Sequence, residues 1–485
     1  MRKIEIYGKE VNTDNAALTE RYTELALHTA LIVASFLVIY HFLLLAGIDV
    51  WRQDSIYYLS SYEDKLASEG RWINYIFFKL IKVIPAPLAI LISMVSFAVF
   101  FFNCAQNQYK EWKWSALIAL AIIQVPLLRI QLEWPETVII GFILLALSST
   151  ESKKIPDYLF FPLFSILFFG TYSAFYFLLP LLYLGASSFK YNLRILIIWG
   201  FSFIVGYLVA NSFVYFTTGS TIVISDWRRP NPISDFGDLI QNILTIYSYF
   251  IDHTRKLIFS VGSLTFILTA IWWLTLGNFK IRLLNLMLVI PSALAIYVTV
   301  IPYGIVVSDR TATIYWAIVL FTMFLYTPPI FGDRLSKLVG CLLISTIIFV
   351  LFSQSIQSTI WYKSITSTYR AEFNKAIKVD PHSVAKTILL IADEDISSFS
   401  REIERNLGIR NIYSEPFGST ATVSSAVKTL GFHNIQICSD MESAVCIEYS
   451  EILIGSRRDS DENFSYFSSV MDNKKNLIIF KTRNL

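Results

Sequence analysis

Eight stretches of this chain run for 22 residues or more without a charged side chain: 25–48, 83–109, 158–189, 195–225, 257–279, 283–308, 311–332 and 338–362. About 20 apolar residues in a helix cross the roughly 30 Å of a bilayer's hydrocarbon, so each stretch is long enough to span it. Composition agrees, with 54% hydrophobic and 16% charged residues, against about 25% charged in ordinary soluble domains. The net charge is only +3, and the Lys and Arg residues are scattered. Nucleic acid is therefore not expected as a partner.

Two shorter apolar stretches, 114–128 and 135–149, face each other across Arg129 and Glu133 and read as a hairpin of short helices. The 158–189 stretch is too long for one helix. Gly170, with Pro162 and Pro180 on either side, predicts a tight turn near Thr171 and Tyr172. The expected fold is an α-helical polytopic membrane protein of about eleven transmembrane helices.

Cytoplasmic loops retain Lys and Arg, and alternate short connections carry Lys110 and Lys113, Lys153 and Lys154, Lys190 and Arg194, Lys280 and Arg282, and Arg334 and Lys337. The N-terminal segment 1–24, with Arg2, Lys3, Lys9 and Arg21, falls on the same, cytoplasmic side. It is polar and partly acidic, so no cleavable signal peptide is expected, and the first span directs insertion. An odd number of spans places residues 363–485 in the periplasm of a bacterial inner membrane. Composition turns soluble there. Residues 387–392 and 476–480 read as buried strands, and 398–407 and 422–430 as helices, which predicts a small α/β domain after the membrane region 25–362.

Polar chemistry collects in the outward loops 49–82 and 217–256. The first contains Asp49, Asp54, Glu63, Asp64, Glu69 and Arg71, then an amphipathic stretch, 72–82, suited to a helix at the membrane surface. Glu63, Asp64 and Glu69 share a short helix with Lys65 and Arg71 and read as solvated charges. Asp54 is different: it lies close to the end of the first span, beside Tyr57 and Tyr58, where partial desolvation would raise a carboxyl pKa and suit it to act as a base. Asp49 and Glu133 are the other candidate carboxylates. The second loop carries Arg228 and Arg229 and an amphipathic stretch, 236–251; a third short loop ends in Asp309 and Arg310.

Cys104 and Cys341 lie in apolar spans and read as small packing residues. Cys438 and Cys446 flank an expected turn in the periplasmic domain, where a disulfide is expected from their spacing and compartment. No Cys/His set has zinc spacing, so no metal site is expected, although a divalent ion at a leaving phosphate stays open. His28, His41, His253, His382 and His433 are isolated and read as packing or solvated residues, His253 in a loop. Trp51, Trp72, Trp134 and Trp227 each neighbour a charge on the outward side; interfacial anchoring or sugar stacking both suit them.

The acidic first outward loop, with Asp54 near its start and Gly70-Arg71-Trp72 at its end, followed by a surface helix, resembles bacterial membrane glucosyltransferases of the type-specific Gtr family. These glucosylate O-antigen, convert serotype and have a GT-C architecture. Members often carry two adjacent Asp at this point, where this chain has Gln53 and Asp54. The resemblance implies inverting transfer of glucose from undecaprenyl phosphate glucose to a hydroxyl of lipid-linked O-antigen, in the periplasm, with no nucleotide sugar and no resident cofactor. It also implies a donor-lipid synthase and a flippase as functional partners. In that reaction Asp54 is the expected base, with Asp49 or Glu133 in reserve; Arg310, Arg228, Arg229 and Arg129 are candidates for the donor phosphate. Arg71, Trp72, Tyr57 and Tyr58 would position the acceptor or the loop. Two alternatives are another polyprenyl-phosphate-dependent glycosyltransferase or O-antigen polymerase, and a lipid-linked sugar transporter. The last would need ionisable residues at mid-membrane.

Overall fold

The computed structural model describes residues 13–48, 62–81, 83–109, 111–185, 188–225, 228–263, 266–267, 279–325, 334–376 and, in the C-terminal part, 388–391, 405, 408, 435–438, 467–471 and 477–481. Up to residue 376 the described chain is almost wholly helical. In order come α1 (Thr13–Ala46), α2 (Glu63–Glu69), α3 (Trp72–Ile81), α4 (Ala86–Gln106), α5 (Trp112–Ile123), α6 (Pro126–Leu132), α7 (Pro135–Glu151) and α8 (Asp157–Phe169). A 3-10 helix η1 (Ser173–Tyr183) precedes α9 (Phe189–Thr218), α10 (Phe236–Val261), α11 (Phe279–Val298), a short turn η2 (Ile301–Tyr303), α12 (Asp309–Leu325) and α13 (Arg334–Ala376).

Five helical segments are long and apolar enough to cross a membrane: Arg21–Ala46, Ala86–Gln106, Phe189–Thr218, Ile281–Tyr303 and Leu338–Thr368. Counting α5 and α6 as one bent span makes six among the described residues, fewer than the eleven expected. Helix breaks account for part of the difference. Pro126 opens α6 and holds Val125 in an extended conformation (φ −60°, ψ 120°), and α6 leaves α5 at 66°. The carbonyls released at the bend are satisfied from neighbouring helices: Ser355 donates to the Gln124 carbonyl at 2.7 Å and Thr313 to that of Leu127 at 3.0 Å. That is how a broken helix survives in an apolar medium. Helix α7, at 17 residues, is only about 26 Å long. The 158–189 stretch divides at Gly170–Tyr172 into α8 and η1, neither long enough to span.

The core is aromatic. Phe97 meets Phe101 and Phe142 edge to face, with centroids 4.9 and 5.4 Å apart, Phe142 lies 4.6 Å from Phe175, and Phe101 lies 5.1 Å from Phe321. One chain of rings thus ties α4 to α7, η1 and α12, each contact adding about 0.5–1.5 kcal/mol beyond area burial. Helix α3 is half exposed, with Ile76, Phe77 and Leu80 outward and Ile73 and Ile81 buried, the division a helix between protein and lipid requires.

In the C-terminal part, β1 (Ile388–Ile391), β2 (Ile435–Cys438), β3 (Phe467–Met471) and β4 (Leu477–Lys481) form a sheet of order β2-β1-β4-β3. β1 is parallel to β2 and β4, and β3 is antiparallel to β4. β1 and β4 fall on the two apolar runs expected as strands. The expected helices 398–407 and 422–430 lie outside the described elements.

Candidate functional site

Helix α2 ends at Gly70, whose left-handed conformation (φ 69°) caps it by returning the Gly70 N–H to the Leu66 carbonyl. A Cβ here would also meet Ile222 Cδ1 at 2.7 Å. This turn places Glu69 and Arg71 on one wall of a cavity of about 250 Å³. Helix α3 is held in place by the Gly170 carbonyl, which accepts from Ile73 N and Asn74 N at 2.9 and 3.2 Å.

Residues 220–225 and 228–233 bring Ile222, Ile224 and Arg228 to the cavity. Val223 N donates to the Ala67 carbonyl at 3.0 Å, Val306 N to that of Arg228 at 3.0 Å, and Asn231 N to that of Tyr303 at 2.8 Å. Arg229 adopts φ 48°, unusual for a residue with a Cβ. Its side chain is exposed and only its neighbour Arg228 lines the cavity. The third cation, Arg310, comes from the first turn of α12, its guanidinium 4.8 Å from the ring of buried Trp134. The remaining wall is largely apolar and aromatic: Phe169, Phe177 and Phe203, with Tyr172, Tyr207 and Tyr303. Tyr207 and Tyr303 bring their hydroxyls to 3.4 Å.

The charged lining is thus three guanidinium groups and one carboxylate. Glu69 is buried, its side chain 4% exposed, which corrects the expectation of a solvated charge. It accepts from Lys65 Nζ at 3.0 Å, pairs with Arg71 Nη2 and lies 3.3 Å from Arg228 Nη2. Burial alone would raise its pKa; Arg71, Lys65, Arg228 and Arg310 outweigh it and hold the carboxyl well below its ordinary range. Burial likewise pulls Arg228 down, Glu69 opposing and Arg310 and Arg71 reinforcing. A guanidinium is basic far above neutrality and remains charged at neutral pH.

Behind Arg310 lies a second polar group. Asp309 accepts from Lys256 Nζ at 3.0 and 3.1 Å and sits 3.1 Å from His253 Nε2. A carboxylate only accepts, so Nε2 carries a proton, and Nδ1 lies 2.9 Å from the Tyr297 hydroxyl. His253 is 2% exposed within α10, not in a loop. Asp252, His253 and Asp309 offer ligand atoms within 4.8 Å of one another, the one such trio among the described residues. The Lys256 ammonium, 2.9 Å from Asp252, already supplies positive charge between the two carboxylates. This network pins α12 to α10 and so fixes where Arg310 points.

The other expected site residues are placed apart or not described. Arg129 and Glu133 are each 1% exposed, ion-paired to each other inside the bundle, with Arg129 5.6 Å from the Tyr362 ring; neither lines the cavity. Trp72 packs on Phe213 with centroids 5.4 Å apart. Asp49, Asp54, Tyr57, Tyr58, Trp51, Trp227 and Cys446 lie outside the described residues, and Cys438 belongs to β2.

No protein-family model matches the chain. No curated protein and no solved structure matches it either. The functional reading therefore rests on the cavity itself.

Proposed function

We propose that the chain is a bacterial inner-membrane glycosyltransferase with a polyprenyl-phosphate-linked sugar as donor. The observation that carries this reading is the cavity's composition: Arg71, Arg228 and Arg310 together with an apolar and aromatic lining. A lipid phosphate carries both features, an anion for the guanidinium groups and an apolar chain for the aromatic wall. The resemblance of the first outward loop to type-specific Gtr glucosyltransferases supplies the finer statement: undecaprenyl phosphate glucose as donor and a hydroxyl of lipid-linked O-antigen as acceptor. On this reading the membrane region has about eleven spans, and residues 363–485 form an α/β domain in the periplasm.

In the reaction, the acceptor hydroxyl oxygen attacks the anomeric carbon from the face opposite the phosphate, giving inversion. The bond from that carbon to the phosphate oxygen breaks, and its electron pair stays on the phosphate. The hydroxyl proton passes to a carboxylate, assigned to Asp54, and general-base assistance of this kind contributes about 10²- to 10⁴-fold. The three guanidinium groups stabilise charge as it grows on the leaving phosphate.

The test is to express the chain with a donor-lipid synthase and flippase in a smooth strain and to look for added hexose on the lipopolysaccharide. Added hexose, lost in Asp54→Asn, is the expected result; unmodified lipopolysaccharide with the protein correctly inserted would reject the reading. Transport of a lipid-linked sugar is the second reading, favoured by the buried Arg129–Glu133 pair at a broken helix. It predicts sugar-lipid movement across proteoliposomes with no new glycosidic bond.

A further inference from the structure

The charged side chains lining the cavity are Arg71, Arg228, Arg310 and Glu69, so its wall carries a net charge of about +2 at neutral pH. A donor sugar phosphodiester carries one negative charge. The leaving polyprenyl phosphate is a monoester and, with a second pKa near 6, carries about two. The wall therefore matches the product, and the transition state approaching it, more closely than it matches the donor. Glu69 is what holds the balance at that value. Its carboxylate is embedded among cations, 3.0 Å from Lys65 and 3.3 Å from Arg228 and paired with Arg71, and it faces the same space the ligand would enter.

We propose that Glu69 governs product release: it tempers the three arginines, weakening the cavity's hold on a phosphate monoester dianion more than on a phosphodiester monoanion, so that a wall of net charge about +2 favours the leaving phosphate without trapping it. The inference rests on the glycosyltransferase reading and deepens it. Interaction between the Glu69 charge and a bound anion is linear in the anion's charge. Whatever factor its removal contributes to the affinity of a monoanion, it contributes the square of that factor for a dianion. At an effective dielectric between that of protein and water the factor is about tenfold per ligand charge.

The experiment measures equilibrium binding of two short probes, geranyl phosphate and geranyl phosphoryl glucose, to the purified full-length chain at pH 8. Wild type is expected to bind the monoester more tightly. Glu69→Gln should tighten the diester by about tenfold and the monoester by about a hundredfold, and in turnover should lower KM for donor and kcat together as product release slows. Glu69→Asp keeps the charge and should restore both affinities to within about threefold of wild type.

Equal tightening of both probes by Glu69→Gln would overturn the proposal. So would weakening of both that Glu69→Asp repairs, which would show that Glu69 only orders the arginines. Should Glu69→Gln not fold, a wild-type protein with no preference for the monoester overturns the proposal by itself. A wild type that transfers sugar but shows no such preference sinks this inference alone, whereas one that binds neither probe and transfers nothing sinks the underlying reading as well.

Discussion

Removing Arg310 is the perturbation whose magnitude can be worked from the geometry. Its guanidinium lines the cavity and lies 4.8 Å from the Trp134 ring, while the preceding residue, Asp309, is held by Lys256 and His253. A phosphate at hydrogen-bonding distance would have its charge about 4–5 Å from that cation. At an effective dielectric near 20 the interaction is about 3.3–4 kcal/mol, and an open, partly hydrated cavity reduces it to about 2–3. Arg310→Ala should therefore lower kcat/KM about 30- to 150-fold. Arg310→Lys keeps the charge but gives up the bidentate fork and stacking on Trp134, so about a tenfold loss is expected. The assay is transfer from polyprenyl phosphate glucose to O-antigen in membranes, normalised to inserted protein, with thermal unfolding as the control for folding. If both variants stay within threefold of wild type, Arg310 does not hold the phosphate and the electrostatic reasoning fails.

The other predictions concern the support of the site. Asp309→Asn removes the carboxylate that pairs with the Lys256 ammonium and accepts from His253 Nε2, so stability at pH 7 should fall by about 2–3 kcal/mol. The sign follows from its pKa: burial would raise it, but His253 and Lys256 hold it below the ordinary value. Its contribution is thus present above the unfolded pKa of about 3.9 and is lost as pH falls through the lower folded value; melting curves of wild type and variant should converge only once pH has fallen below the ordinary carboxylate range. Gly70→Ala places a Cβ at φ 69° and 2.7 Å from Ile222, costing about 1–2 kcal/mol, and thermal unfolding should register it as a lower Tm. Alkaline phosphatase fused after Leu485 should be active if residues 363–485 are periplasmic; an inactive fusion would mean an even number of spans. Titration of the unreduced, unfolded chain should find two thiols, Cys104 and Cys341; four would remove the Cys438–Cys446 disulfide.

What could be read in the sequence depended on whether the signal was local. The division of the 158–189 stretch at Gly170–Tyr172 was legible because glycine and proline act on their own backbone. Helix α3 was legible because its apolar residues repeat at helical spacing. Strands β1 and β4 are unbroken apolar runs, whereas β2 (IQIC) and β3 (FSSVM) carry polar residues and have no such mark. The tally of spans was less secure, since hydropathy does not register that Pro126 bends one helix by 66°.

The cavity itself was legible only in part, for a reason that bears on how such sites are found. Arg71, Arg228 and Arg310 stand more than 80 residues apart in sequence at each step; Arg228 and Arg310 were expected at the donor phosphate and Arg71 at the acceptor or loop, but nothing local marked that the three converge. Glu69 looked more ordinary still, because a Lys65–Glu69 pair four apart is the usual signature of a solvated helix face. Its surroundings come from far away in the chain: Arg228 lies 3.3 Å from it, and Val223 N donates to the Ala67 carbonyl beside it. His253 was hidden in the same way, its partners Asp309 and Tyr297 arriving from α12 and α11. One local mark was available: Gly70 between Glu69 and Arg71. A left-handed turn there sets the carboxylate and the guanidinium on the same wall of the cavity. In a chain whose apolar runs are free of charge, an oppositely charged pair separated by a turn glycine is a stronger mark than a helical i, i+4 pairing. The energetic reason is that a buried carboxylate beside the membrane survives only when several cations converge on it, and such a convergence is also what binds an anion.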